Sequence, residues 1–143
     1  MVLLQGKTSA GWKGSMTRFV VDAYAWIEYF EGSEKGKKFS EIIEDNSNEL
    51  FTSSATSSEV ISKFLRVKKD VKIALTAIDT LSTIAVINQE LGIEAGFIHY
   101  EAKKKNKEFG MLDAFVAATA KKLGAKILTG DPHFKGFKEV VMM

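Results

Sequence analysis

From Thr17 onward, short apolar runs alternate with longer stretches in which apolar residues return every three or four positions. Phe19-Val20-Val21, Leu50-Phe51-Thr52, Thr83 to Ile87, Ala125 to Thr129 and Phe137 to Val141 form the short runs. The first is wholly apolar, as a strand buried on both faces must be. Ala23 to Phe30 reads as a helix that turns Trp26, Tyr29 and Phe30 inward. After a turn at EGSEKGKK, Phe39, Ile42 and Ile43 mark a short helix ending near Glu44. The SSATSS tract offers N-cap hydroxyls ahead of a helix from Glu59 to Leu65, with Glu59 in its first turn. Asp70 opens a helix whose apolar stripe is Val71, Ala74, Leu75, Ile78 and Leu81. Asn88 caps a long helix to about Lys104, and an alanine-rich helix begins at Leu112 and stops at Gly124. Strand and helix in alternation predict an α/β protein, a parallel sheet with helices on both faces.

In an open parallel sheet the ligand crevice lies beyond the carboxyl ends of the strands. Asp22 directly follows the first strand, and Asp131 follows the fourth in the turn Gly130-Asp131-Pro132. Glu59 and Asp113 lie near helix N-termini, and a helix that follows a strand starts at the same edge. The topology therefore allows all four acids to converge, although they are distant along the chain. Gathered carboxylates are ligands for hard divalent cations such as Mg²⁺ or Mn²⁺, which assist phosphodiester hydrolysis. Each acid alone has a plainer reading: Asp22 as an N-cap, Glu59 and Asp113 as partners of helix dipoles, Asp131 as the start of an Asp-Pro turn. Their joint placement is what points to a site.

Other candidates are weaker. Glu28, close to two helical turns from Asp22, reads as a solvated helix residue. His99 and His133 lack a paired base or a ligand spacing and read as structural or surface residues. The serines of SSATSS come without a G-x-S-x-G elbow, so they do not form a nucleophile site. Trp26 and Phe115 read as core. Lys103, Lys104, Lys105 and Lys107 form the dense cation cluster at a helix end, which is either a solvated face or a track for RNA phosphates.

At 143 residues the chain suits one domain. Its 20 basic and 18 acidic residues leave a net charge of only +2, so any attraction for nucleic acid must be local. The sequence contains no cysteine, which excludes disulfides, thiolate metal sites and a cysteine nucleophile, and fits a cytoplasmic protein. No apolar run reaches the roughly 20 residues that span a bilayer, so no membrane association is expected. Residues 1–15 show neither period and precede a second possible start at Met16. They read as a leader left by expression or as a natural flexible arm, with the domain occupying 16–143.

FVVDAYAWIEYF, TSSATSSEVISKF and GMLDAFVAATAKKLGAKILTGDPHF, in that order and context, resemble the signature segments of PIN domains, especially VapC-type toxins of prokaryotic toxin–antitoxin pairs. The resemblance runs from about Phe19 to Phe137. It implies a three-layer α/β/α sandwich with a five-stranded parallel sheet in the order 3-2-1-4-5. It implies that Asp22, Glu59, Asp113 and Asp131 hold Mg²⁺ or Mn²⁺, and that Thr129 is the family's hydroxyl residue two positions before the last acid. It also implies endoribonuclease activity on RNA, a homodimer, and an antitoxin that inserts a peptide into the active-site groove. Ala23 departs from the Ser or Thr that many members carry after the first acid. A housekeeping PIN nuclease of ribosomal RNA processing is the alternative with the same chemistry. Outside that chemistry stand a receiver-like phospho-acceptor, which needs an acidic neighbour of Asp22 that is missing, and a non-catalytic binding module.

Overall fold

In a computed structural model, which describes residues 16–143, the order of elements is β1 (Thr17–Val21), α1 (Ala23–Glu31), α2 (Glu34–Ile43), β2 (Asn48–Ser53), α3 (Ser54–Arg66), α4 (Val71–Leu81), β3 (Thr83–Ala85), α5 (Gln89–Lys105), α6 (Met111–Leu123), β4 (Lys126–Thr129), a 3₁₀ turn (Pro132–Phe134) and β5 (Val140–Met142). The leader expected over residues 1–15 lies outside the described residues. The strands make one sheet in the order β3-β2-β1-β4-β5, and every pairing is parallel. This is the α/β arrangement and strand order that the resemblance implies.

Because successive side chains of a strand point to opposite faces, the apolar runs feed two cores. Phe19, Val21, Leu50 and Leu128 pack on one side against Trp26, Phe39, Val60, Phe64 and Ile78 from the first four helices. Val20, Phe51 and Ile127 pack on the other against Leu91, Ala95 and the small residues of α6. Ala114, Ala117, Ala118 and Ala120 let α6 lie close to the sheet. Trp26 is fully buried, and its indole N–H donates to Thr52 Oγ1 at 3.1 Å. Thr52 Oγ1 lies 2.7 Å from Ser82 Oγ, which donates to the Ile78 carbonyl. A polar chain therefore crosses one core with its groups satisfied, as burial requires.

Several boundaries differ from those expected. The first half of α2 occupies the stretch read as a turn, because the Ser33 hydroxyl caps the helix from Gly36 N and Gly36 lets it approach α1. A Cβ at Gly36 would run into the Glu28 carbonyl. Glu28 itself accepts from Ser33 Oγ at 2.8 Å, so it serves the α1–α2 corner. The SSATSS tract is helix from Ser54 on, since Ser53 is the cap, accepting from Ala55 N at 3.1 Å, and Ala55 and Thr56 are buried. Glu59 is consequently in the second turn of α3. β2 is longer than expected and β3 shorter. β5 begins at Val140 instead of Phe137, because Phe137 stacks on Phe109 with centroids 5.3 Å apart and is drawn out of strand register.

Substituting Gly36→Ala should lower stability by about 1–3 kcal/mol through overpacking at the α1–α2 contact. Gly92→Ala, in α5 with open space around its Cβ, should raise it by up to about 1 kcal/mol from helix propensity. Urea denaturation of both variants checks the pair, and equal effects would show that the close approach at Gly36 does not matter.

Candidate active site

Parallel pairing of β1 with β4 sets Val21 beside Leu128, and the Asp22 amide donates to the Leu128 carbonyl at 3.0 Å. Asp22 thus leaves the sheet next to Thr129. The Thr129 hydroxyl donates to Asp22 Oδ2 at 2.8 Å and accepts from the Asp131 amide at 2.9 Å. One buried oxygen joins the first and last acids. Asp131 caps the 3₁₀ turn, its Oδ1 accepting from His133 N at 2.9 Å. Gly130 is needed between them, because a Cβ there would meet the Tyr24 ring and lie 2.8 Å from the Met143 carbonyl.

Asp113 stands in the first turn of α6, where its Oδ2 accepts from the Gly110 amide at 2.8 Å and fixes the helix start. Glu59 reaches the same region from α3, half-buried, close enough for Asp22, Asp113 and Asp131 all to act on its charge. The four expected acids are therefore brought together at the carboxyl edge of the sheet. His133 joins them: its Nδ1 lies 3.1 Å from Asp113 Oδ2 and 3.4 Å from Asp131 Oδ1. Its spacing alone marks it as structural or surface, and the structure places it in the cluster instead. The signal for it was its place two residues after Asp131 across a proline, which folds the chain back over the carboxylate.

The remaining candidates lie elsewhere. His99 packs near Phe109, Phe115 is a partly buried member of the second core, and Trp26 is core. Lys103, Lys104 and Lys105 close α5, and Lys107 lies in the turn beyond it.

Electrostatically the cluster works against itself. Asp22 is only 3% exposed, and its carboxyl is raised to about 6. Burial is the main cause. The Thr129 hydroxyl and the Ala23 backbone pull the other way, while the charges of Asp113 and Asp131 raise it further. Glu59 is raised to about 7, again chiefly by burial and then by repulsion from Asp22, Asp113 and Asp131. Such a donor set fits a hard divalent cation, which carboxylate oxygens prefer to bind and whose charge removes the repulsion. Ligand atoms of Asp113, Asp131 and His133 lie within 4.8 Å of one another, on the scale of one ion's coordination sphere. Asp22 and Glu59 complete the negative wall. A cation held there would polarise a phosphodiester and acidify an attacking water.

The family model for the PIN domain matches residues 19–140. No curated protein matches the sequence. Among solved structures, a toxin–antitoxin complex from Klebsiella pneumoniae is similar, with a TM-score of 0.71 at 20% identity, over 86% of this chain and 95% of that one. VapC20 of Mycobacterium tuberculosis, a sarcin-ricin loop cleaving toxin, gives 0.67 at 18% identity, covering 85% and 98%. A VapBC2 complex from Rickettsia felis, bound to a DNA fragment from its promoter, gives 0.62 at 16%, covering 89% and 98%. At these identities the likeness is one of fold.

The raised carboxyls fix the sign of a pH effect. Between the ordinary values of 3.8 and 4.5 and the raised values of about 6 and about 7, the folded protein holds more protons than the unfolded one. The stability these two groups contribute is therefore lost as pH rises through that window. In chelator, the melting temperature should fall between about pH 4 and about pH 7, and Asp22→Asn should flatten the fall. Millimolar Mg²⁺ or Mn²⁺ should raise it again at the higher pH, since a ligand of the folded state alone is stabilising. Differential scanning fluorimetry reads all three, and a profile insensitive to both pH and metal would contradict a self-repelling site.

Proposed function

The chain belongs to the PIN-domain family, and we propose that it is a metal-dependent endoribonuclease of the VapC type, a toxin restrained by a protein antitoxin. The observation that carries the chemistry is the bridge of Thr129 between Asp22 and Asp131, with Glu59 and Asp113 converging on it. Phosphodiester hydrolysis needs an activated water, compensation of charge at the phosphate and a stabilised leaving oxygen. In this reading Asp22, Asp113 and Asp131 hold Mg²⁺ or Mn²⁺, with Glu59 beside them to orient water. Thr129 keeps two of the acids at fixed separation, and His133 steadies Asp113 against Asp131. Nothing but carboxylates, a hydroxyl and one imidazole is required of the chain.

The toxin branch is supported by two further features. Solved structures similar to this one include toxin–antitoxin complexes. The helices also expose apolar side chains that a partner would cover: Ile93, Phe97 and Tyr100 fall on one stripe of α5, with Phe97 71% exposed, and Leu65, Ile73 and Leu75 stand out from α3 and α4. We assign these faces to a second copy of the chain and to the antitoxin. A receiver-like role does not fit a PIN domain, and the retention of all four acids favours an active enzyme over a non-catalytic module. Among the described residues, no helix is long and apolar enough to cross a membrane.

Asp22→Asn and Asp131→Asn should each reduce metal-dependent cleavage of RNA to background while leaving the circular dichroism spectrum of the wild type. Thr129→Val should cost about 10–100-fold in activity or metal affinity, the usual effect of removing a hydrogen bond that orients a ligand. Incubation of purified protein with mixed RNAs, in Mg²⁺, Mn²⁺ or chelator, followed by mapping of the cut ends, tests the reading. Full activity in either Asp variant would place the site elsewhere.

A further inference from the structure

Beside the acidic cluster the structure carries a region of opposite sign. The C-terminal end of α5 and the segment after the 3₁₀ turn enclose an open groove of about 600 Å³. Lys104 and Lys105 line it from α5, and Lys135 and Lys138 from the returning chain. Its inner wall includes Phe109 and Phe137, whose rings stack at 5.3 Å and 14°, with Phe134 edge-on to both. That aromatic stack holds the Lys135–Lys138 segment against α5. The groove and the acidic cluster share a residue: His133 lines the groove and also contacts Asp113 and Asp131. Asn106, which ends α5, donates to the His133 carbonyl at 3.4 Å and ties the two regions together.

Among the described residues, Lys104 alone of the four lysines is in an ion pair, with Glu101 at 2.8 Å. Lys105, Lys135 and Lys138 are exposed and free to meet an anion. Lys103 and Lys107, which complete the basic run in sequence, are not part of the groove wall.

We propose that this groove binds the phosphates of the RNA strand adjoining the cleaved bond. A chain of phosphates approaching four carboxylates is repelled everywhere except where a cation stands, so a strand can be held only if neighbouring phosphates find positive charge. The groove provides it where His133 joins it to the cluster, over a floor of stacked rings. Lysine ammoniums contact phosphate as point charges without reading a base, so the groove contributes affinity and alignment, not sequence choice. This rests on the ribonuclease reading and deepens it by locating the strand.

The test compares the wild-type chain with Lys135→Ala/Lys138→Ala and with Lys103→Ala/Lys107→Ala. Binding of a fluorescein-labelled single-stranded RNA is followed by anisotropy in chelator over a range of salt. Each phosphate contact contributes about 0.7 to the slope of log affinity against log salt. The groove variant should lose roughly 1.4 in slope, with affinity at low salt down on the order of tenfold, while the other pair keeps the wild-type slope. An unchanged slope in the groove variant, an equal loss in both pairs, or no binding by the wild type would overturn the groove. Cleavage by the wild type in Mg²⁺ or Mn²⁺ is measured alongside. Metal-dependent cutting with an unchanged groove slope leaves the ribonuclease standing and removes only the groove. Absence of cutting on any RNA overturns the ribonuclease reading and, with it, the groove's role as a substrate site.

Discussion

A single hydroxyl, that of Thr129, holds together two strand ends whose side chains repel. It donates to Asp22 Oδ2 and accepts from the Asp131 amide, and it can do both only because β1 and β4 are parallel neighbours ending in register. In a parallel pair the carboxyl ends lie at the same edge of the sheet, so residues more than a hundred positions apart become adjacent. The centre of the sheet is also its most buried part, which is why Asp22 is dry and why its charge is costly. The other elements are arranged around that constraint. α3 brings Glu59 to the same edge, α6 starts there with Asp113 fixed on the Gly110 amide, and the 3₁₀ turn closes over Asp131 with His133.

The packing supports an arrangement that is unfavourable in itself. Two apolar cores, one on each face of the sheet, supply the stability that a self-repelling cluster withdraws. Asp22 and Glu59 are raised in pKa by burial and by the charges of their acidic neighbours, so a cation bound there would return the stability that their ionised forms give up. The Trp26-Thr52-Ser82 chain shows the contrast: it is polar and buried, yet satisfied by protein partners and therefore structural. At the sheet edge, by contrast, Asp22 and Glu59 are held near other carboxylates, which sets them apart from it.

Charge of opposite sign lies next to this edge, although the chain as a whole is almost neutral. The same segment that carries Asp131 and His133 continues into Lys135 and Lys138 and is pinned on Phe109 by the Phe137 ring. A fold can thus present an acidic pocket and a basic groove on one short segment of chain, with no signature in the net charge.

The alternation of strands and helices, the class of fold and the first and last acids are legible in the linear order of residues. Asp22 and Asp131 each follow an apolar run directly, and the caps Asp70 and Asn88 and the stop at Gly124 are local signals that depend on neighbouring residues only. The remaining features depend on contacts between residues far apart in the chain. The early start of α2 requires Gly36 to meet the Glu28 carbonyl, and the place of Glu59 in α3 requires Ala55 and Thr56 to be buried. His133 is an isolated histidine until the turn folds it onto Asp113, and Lys104 and Lys105 share a groove with Lys135 and Lys138 only because the chain returns there. Periodicity records which face of an element is dry, but the distance between two side chains on different elements is set by packing, and no local pattern encodes it.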